Sequence, residues 1–166
     1  MKLRVHAAVE VARPPEEVFD FAVDCRSLPV LLRRVAPIPG IASAEMVSGS
    51  APGAGARRRV AMTDSSWILE EIVTFDRPLR HRYRWLTLPA MPFCLLVRGG
   101  EGDWTFSPTP SGTRVDWTYT FELTTALALP LALPVLTLFQ RWMRRSLAHL
   151  PEEMPAQGRE GAASAP

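Results

Sequence analysis

Apolar and polar residues alternate without interruption from Gly112 to Leu123. Val115, Trp117, Tyr119, Phe121 and Leu123 fall on one side of an extended chain, and Arg114, Asp116, Thr118, Thr120 and Glu122 on the other, because successive strand side chains point to opposite faces. The same period of two marks Leu3, Val5, Ala7, Val9 and Val11 as the inner residues of a first strand. Pro14-Pro15-Glu16-Glu17 then opens a helix: proline suits a first turn, and two acids suit its positive end. Val18, Phe19, Phe21 and Ala22 supply its buried side. Ser27 is placed to cap a second short helix through Arg34, ended by Pro37, Pro39 and Gly40.

Six strands follow in meander order: Ile41 to Ser48, Ala56 to Thr63, Trp67 to Phe75, Leu79 to Leu88, Gly99 to Ser107, and the strand after Gly112. Turn-forming residues separate them, at Gly49 to Gly55, Asp64-Ser65-Ser66, Asp76-Arg77-Pro78 and Pro108 to Gly112. The connection Pro89 to Val97 is apolar instead. A last helix is predicted from about Val135 to Leu150. Val135, Phe139, Trp142, Met143, Ser146 and Leu150 share one of its faces, and Arg141, Arg144 and Arg145 lie opposite. No charge occurs from Leu123 to Phe139. That is close to the lower limit for a spanning helix, about 17 residues, but Pro130 and Pro134 interrupt it, so it reads as a loop and a helix start.

Composition narrows this further. A chain of 166 residues with 47% hydrophobic content is read as one domain over residues 1–150, followed by a disordered, Pro/Gly/Ala-rich tail over 151–166. The net charge of +2 gives no argument for nucleic acid, although Lys2 is the only lysine beside 18 arginines. Cys25 and Cys94 fit neither a disulfide framework nor a metal site, and the N-terminus lacks a signal-peptide core. A reducing, cytoplasmic setting is expected. No metal-ligand spacing, phosphate-binding glycine loop or Ser/His/Asp grouping is present, so no metal or cofactor is expected.

The order of one strand, two short helices, six strands and a long helix resembles the helix-grip, START-like (SRPBCC) superfamily. That group includes START lipid-transfer domains, birch-pollen-allergen-like proteins and bacterial polyketide cyclase/dehydrase-like proteins. The matching pieces are Pro14-Pro15-Glu16-Glu17-Val18-Phe19, Glu70-Glu71-Ile72-Val73 before Asp76-Arg77-Pro78, Tyr83-Arg84, Gly112-Thr113-Arg114-Val115 and the Arg-rich C-terminal helix. Together they span roughly residues 3 to 150. The resemblance implies an α+β helix-grip fold, with a seven-stranded antiparallel sheet curled around the last helix. It carries no catalytic residue onto this chain.

Strand parity points to the lining of the hollow such a fold leaves. Trp67, Tyr83, Trp85, Trp104, Trp117 and Tyr119, with Phe139 and Met143 from the helix, are the candidate ligand-binding residues. A dry core favours Leu, Ile and Val, whereas pockets combine aromatic walls with a few polar groups; the plainer reading is that these rings are core. His81 also has inward parity, most simply as a satisfied core histidine. Two charges share the apolar side, Arg58 and Glu71, with Glu70 as the inward residue if the Trp67–Phe75 strand has the other parity. A buried charge needs a partner, so the pair is read as a structural ion pair or as a polar anchor for a ligand.

The expected function is binding or transport of a hydrophobic or aromatic small molecule: a lipid, an isoprenoid or a polyketide. The rival is a polyketide cyclase/dehydratase-type enzyme, in which Arg58, Glu71, Tyr83 and Tyr119 supply acid–base and oxyanion contacts. A third reading is a structural or chaperone-like domain with a filled core. The strands before residues 64–66, 89–97 and 124–134 run the same way, so these three connections share one end of the sheet. Two of them are apolar. They either plug that end or form a mouth that touches a membrane peripherally.

Overall fold

The computed structural model describes residues 1–49 and 51–155. Its elements are β1 (Lys2–Val11), α1 (Pro15–Val23), α2 (Leu28–Leu31), β2 (Ile41–Ser48), β3 (Arg57–Met62), β4 (Trp67–Asp76), β5 (Arg80–Trp85), β6 (Val97–Thr109), β7 (Gly112–Leu123) and α3 (Leu129–Glu153). Short 3₁₀ turns at Phe93–Leu95 and Ala126–Ala128 interrupt the two apolar connections. The strands form one antiparallel sheet in the order β1-β7-β6-β5-β4-β3-β2. This is the expected helix-grip architecture: β7 swings back to pair with β1, and α3 lies against both.

The alternation of β7 decides which residues meet α3. Val115, Trp117, Tyr119, Phe121 and Leu123 are all buried. Trp117 stands edge-on to Trp142 at 5.6 Å, and Tyr119 and Phe121 contact Phe139 at 5.1 and 4.9 Å between ring centroids. The opposite face of the sheet carries cross-strand ion pairs. Arg80 meets Asp103 at 2.7 Å, Arg84 meets Glu71 at 2.7 Å, and Arg82 meets Glu101. Lying at the surface and at most half-buried, these contribute little each, but they keep that face wet and set its side of the alternation.

Four expectations are corrected. In β4 a register shift between Ile72 and Thr74 leaves Val73 as an extra residue. A bulge reverses parity beyond it, so Ile68, Glu70 and Ile72 point inward before it and Phe75 packs on Phe19 after it. Trp67 therefore belongs to the outer face, 46% exposed, with Arg59 stacked over its ring. Second, α3 begins at Leu129, earlier than expected. Pro130 sits in its first turn, where no N–H is needed, and Pro134 forfeits only one backbone bond. Third, the C-terminal segment is ordered at its start. α3 runs on to Glu153, Met154 is buried, and Arg13 donates to the Pro155 carbonyl at 2.7 Å. Residues 156–166 of the expected tail lie outside the described residues. The second helix is also shorter than expected, and the Ser27 side chain makes no capping bond.

Two glycines on the inner face of β6 shape what lies beneath it. Gly102 pairs with Tyr83 across the strands, and a Cβ at Gly102 would stand 2.3 Å from the Tyr83 ring. A Cβ at Gly100 would stand 2.7 Å from the Trp85 indole. Both rings lie flat across β6 only because those side chains are missing. Gly102→Ala is expected to destabilise the protein by about 1–3 kcal/mol through overpacking. Gly53→Ala, with open space around it, should be near neutral. Urea unfolding of the two variants checks this, and equal midpoints would contradict it.

Candidate ligand-binding site

The sheet curls further than α3 can fill, and a cavity of about 900 Å³ remains between them. Its aromatic wall is Tyr83, Trp85, Trp104, Trp117 and Tyr119 from the sheet, facing Phe139 and Trp142 on α3. Leu28, Leu32, Ile38 and Ile41 close the α2 side, and Val60, Met62 and Ile68 form the far wall. The core is therefore not filled, and the structural reading that required a filled core is set aside.

Seven of the eight expected ligand-binding residues can be placed on the inner side: Tyr83, Trp85, Trp104, Trp117, Tyr119 and Phe139 line the cavity, while Met143 is packed within the core behind it. Trp67 is on the opposite face. Of the residues held for the enzyme reading, Arg58, Tyr83 and Tyr119 reach the cavity; Glu71 does not, because β4 turns it outward onto Arg84. Its neighbour Glu70 takes the inward place. The contributions of Leu28 through Ile41 were not anticipated, since no period of two or 3.6 runs through that proline-broken segment. Its cue was the spacing of Pro37, Ile38 and Pro39, a stretch too apolar for an ordinary loop.

Among the described residues, Arg58 and Glu70 are the buried charges, 4% and 6% exposed, joined by an Nε to Oε2 hydrogen bond of 2.7 Å. β3 and β4 pair Arg58 directly with Glu70, so the register itself makes the ion pair. The guanidinium also lies over the Tyr83 ring, 4.7 Å from its centroid. Burial is the largest single influence and works against the Arg58 charge, but the charge and hydrogen bond of Glu70, with Tyr83 and Cys25 beside it, together raise the pKa above its ordinary value. Burial pushes the Tyr83 and Tyr119 hydroxyls well above the usual phenol range. Burial, aided by the Arg58 charge, drives His81 down to about 3, so its imidazole is neutral. It is not the satisfied core histidine expected: neither ring nitrogen has a hydrogen-bond partner among the described residues.

The cavity opens at the end shared by three connections. Asp64 and Ser66, Pro89 to Phe93 with Leu95 and Leu96, and Thr124, Thr125, Ala128 and Leu131 all border it. Thr124 ties the last two together, its N–H and hydroxyl donating to the Leu96 and Leu95 carbonyls at 3.0 and 2.8 Å. Large apolar side chains around the rim face outward: Leu88, Met91, Leu95, Leu131 and above all Leu127, which is 89% exposed.

An antiparallel sheet gripping a long helix around an apolar cavity defines a helix-grip protein. Residues 2–155 match one family throughout, and the chain belongs to it: the family described as polyketide cyclase/dehydrase and lipid transport. Among solved structures, the chain is similar to the Zhui aromatase/cyclase from a Streptomyces species, with 16% identity, a TM-score of 0.69, and coverage of 95% of this chain and 99% of that one. It is similar to a Thermus thermophilus protein at 28% identity and a TM-score of 0.66, covering 93% and 97% of the two chains. Norcoclaurine synthase from Thalictrum flavum, solved with dopamine and hydroxybenzaldehyde, aligns at 13% identity and a TM-score of 0.66, over 95% and 90%. No curated protein sequence matches the chain.

Two measurements follow from the buried polar groups. Arg58→Met alone is expected to cost about 3–5 kcal/mol, and more than Arg58→Met combined with Glu70→Met, because the single change strands a buried carboxylate. Additive losses in a double-mutant cycle would show that the two charges are independently solvated. For His81, the unfolded chain takes up a proton near pH 6.5 and the folded protein resists until about 3. The unfolded state therefore binds more protons across that window. Stability should fall as pH drops through it, by at most about 1.4 kcal/mol per pH unit. Melts of His81→Leu over the same range should show a shallower fall; parallel curves would contradict the assignment.

Proposed function

We propose that the protein binds and carries a hydrophobic or aromatic small molecule, of lipid, isoprenoid or polyketide-like character, inside this cavity. The observation that carries the reading is an apolar, aromatic-walled space of about 900 Å³, within the range of small-molecule sites, roughly 300–1,000 Å³. The family's description, which joins cyclase/dehydrase chemistry to lipid transport, supports it from outside the structure. The ligand-binding residues of this reading are Tyr83, Trp85, Trp104, Trp117, Tyr119 and Phe139. A cytoplasmic setting is in keeping with the free thiols of Cys25 and Cys94.

The rival is a cyclase/dehydratase-type enzyme, favoured by Arg58, Tyr83 and Tyr119 standing at one cavity. General acid–base catalysis works best with a pKa near the operating pH. Here burial moves the two tyrosines up and His81 down, both away from neutrality. That weighs toward carriage. Native mass spectrometry of the purified protein is expected to find a bound small molecule. The neutral fluorophore N-phenyl-1-naphthylamine is expected to bind saturably, one per chain. An adduct-free mass together with no saturable binding would overturn the reading.

We further infer that the exposed apolar rim is the route of entry and touches a membrane peripherally through residues 89–97 and 124–134. Along α3 and the turn before it, Leu127, Leu131, Pro134 and Leu138 recur at helical spacing on an exposed stripe, with Arg141 and Arg145 next on it. Apolar residues beside arginines suit a surface of acyl chains and anionic headgroups. Leu95→Asp combined with Leu127→Asp should abolish pelleting with anionic liposomes and slow fluorophore uptake, with the melting temperature unchanged. Equal pelleting and uptake in both forms would remove the contact and the gate together.

A further inference from the structure

The cavity holds more hydrogen-bonding capacity than an apolar ligand uses. His81 is 2% exposed, lines the cavity, and has no partner at Nδ1 or Nε2 among the described residues. The Trp117 indole N–H is buried on the same wall, beside the Tyr83 hydroxyl but without a well-formed hydrogen bond. Arg58 donates through Nε to Glu70; its remaining N–H groups make no hydrogen bond among the described residues. These groups are close neighbours. His81 and Tyr83 lie 5.5 Å apart between ring centroids, Arg58 rests on Tyr83, and His81 is paired across the strands with Trp104, which stacks on Trp117 at 4.5 Å. Unpartnered polar groups in a water-poor site are costly, and they reward a ligand atom that meets them.

Charge narrows what that atom is. Glu70 already balances Arg58, and burial keeps His81 neutral, so the cluster carries no net charge. An ionised carboxylate or phosphate placed there would be a third buried charge with no counter-charge. A neutral imidazole offers one donor and one acceptor, and the indole and guanidinium offer donors only. A neutral oxygen matches this set: a ketone accepts, and a phenol or enol both accepts and donates.

We propose that the wall formed by His81, Arg58 and Trp117 is a recognition site for a neutral oxygen function, and that the ligand is an otherwise apolar molecule bearing a phenol, enol or ketone, held oxygen-first with its apolar end toward Leu95 and Leu131. The proposal rests on the reading of the cavity as a site for hydrophobic molecules. It separates oxygenated aromatic or isoprenoid compounds from fatty acids and phospholipids, whose charged heads do not fit this end.

Three probes of one shape test it: naphthalene, 2-naphthol and 2-naphthoate, each displacing N-phenyl-1-naphthylamine at pH 7. The phenol is neutral there and the carboxylate charged. 2-Naphthol is expected to bind at least about tenfold tighter than either of the others. In His81→Leu the ratio of naphthol to naphthalene affinity should collapse towards one. In His81→Asn, which keeps a donor and an acceptor, it should recover in part; circular dichroism establishes that both variants fold. Naphthalene binding as tightly as naphthol in the wild type, or naphthoate binding tightest, overturns the proposal and leaves the hydrophobic-carrier reading standing. Failure of all three probes and of the fluorophore to bind overturns both. The wild-type comparison decides even if a variant fails to fold.

Discussion

A tyrosine ring laid across a backbone that has no side chain is the contact on which the rest of this structure turns. Tyr83 lies over Gly102, and Trp85 repeats the arrangement over Gly100. With any larger residue on β6, both rings would be forced off the sheet and into the space beneath it. Because they lie flat, their faces become the wall of the cavity. The Tyr83 face then receives the Arg58 guanidinium, which in turn holds Glu70. One pair of missing side chains thus sets both the size of the cavity and the position of its charged residues.

The same geometry explains why so polar a cluster survives among aromatic rings. An ion pair withdrawn from water is seldom stabilising in itself. Here its cost is limited by a register that aligns the two residues on adjacent strands and by a cation–π face. What remains is a neutral patch of donors and acceptors in an otherwise apolar chamber. Such a patch contributes little to folding and much to discrimination, because a ligand lacking the right oxygen leaves it unsatisfied.

The mouth and the chamber divide the work between loop and scaffold. The wall sits on β5, β6 and β7, where cross-strand pairing holds each ring. The rim sits on connections rich in exposed leucine, methionine and proline, which the sheet does not constrain in the same way. Recognition is thereby placed on rigid elements and entry on adaptable ones, the arrangement expected where a buried site must still be reached.

Periodicity alone determined most of the fold. The alternation of β7 named the β7 residues that face α3, and the triple Arg57-Arg58-Arg59 forced one arginine inward. The direction of the meander placed the apolar connections at one end. Parity also put Tyr83, Trp85 and Trp104 on the cavity side. Tertiary structure decided the remainder. A one-residue bulge at Val73 reversed β4, sent Trp67 and Glu71 to the outer face and brought Glu70 onto Arg58; period-two counting cannot see an extra residue that no turn signal marks. Met143 and Phe139 look alike on a helical wheel, yet only Phe139 borders the cavity, because the wheel does not say where the sheet curves away. The proline-broken segment around Ile38 reached the site through its neighbours and not through any period of two or 3.6. Local sequence thus dictates which side chains face inward, while the curvature of the sheet and the register of its strands dictate which of them meet empty space.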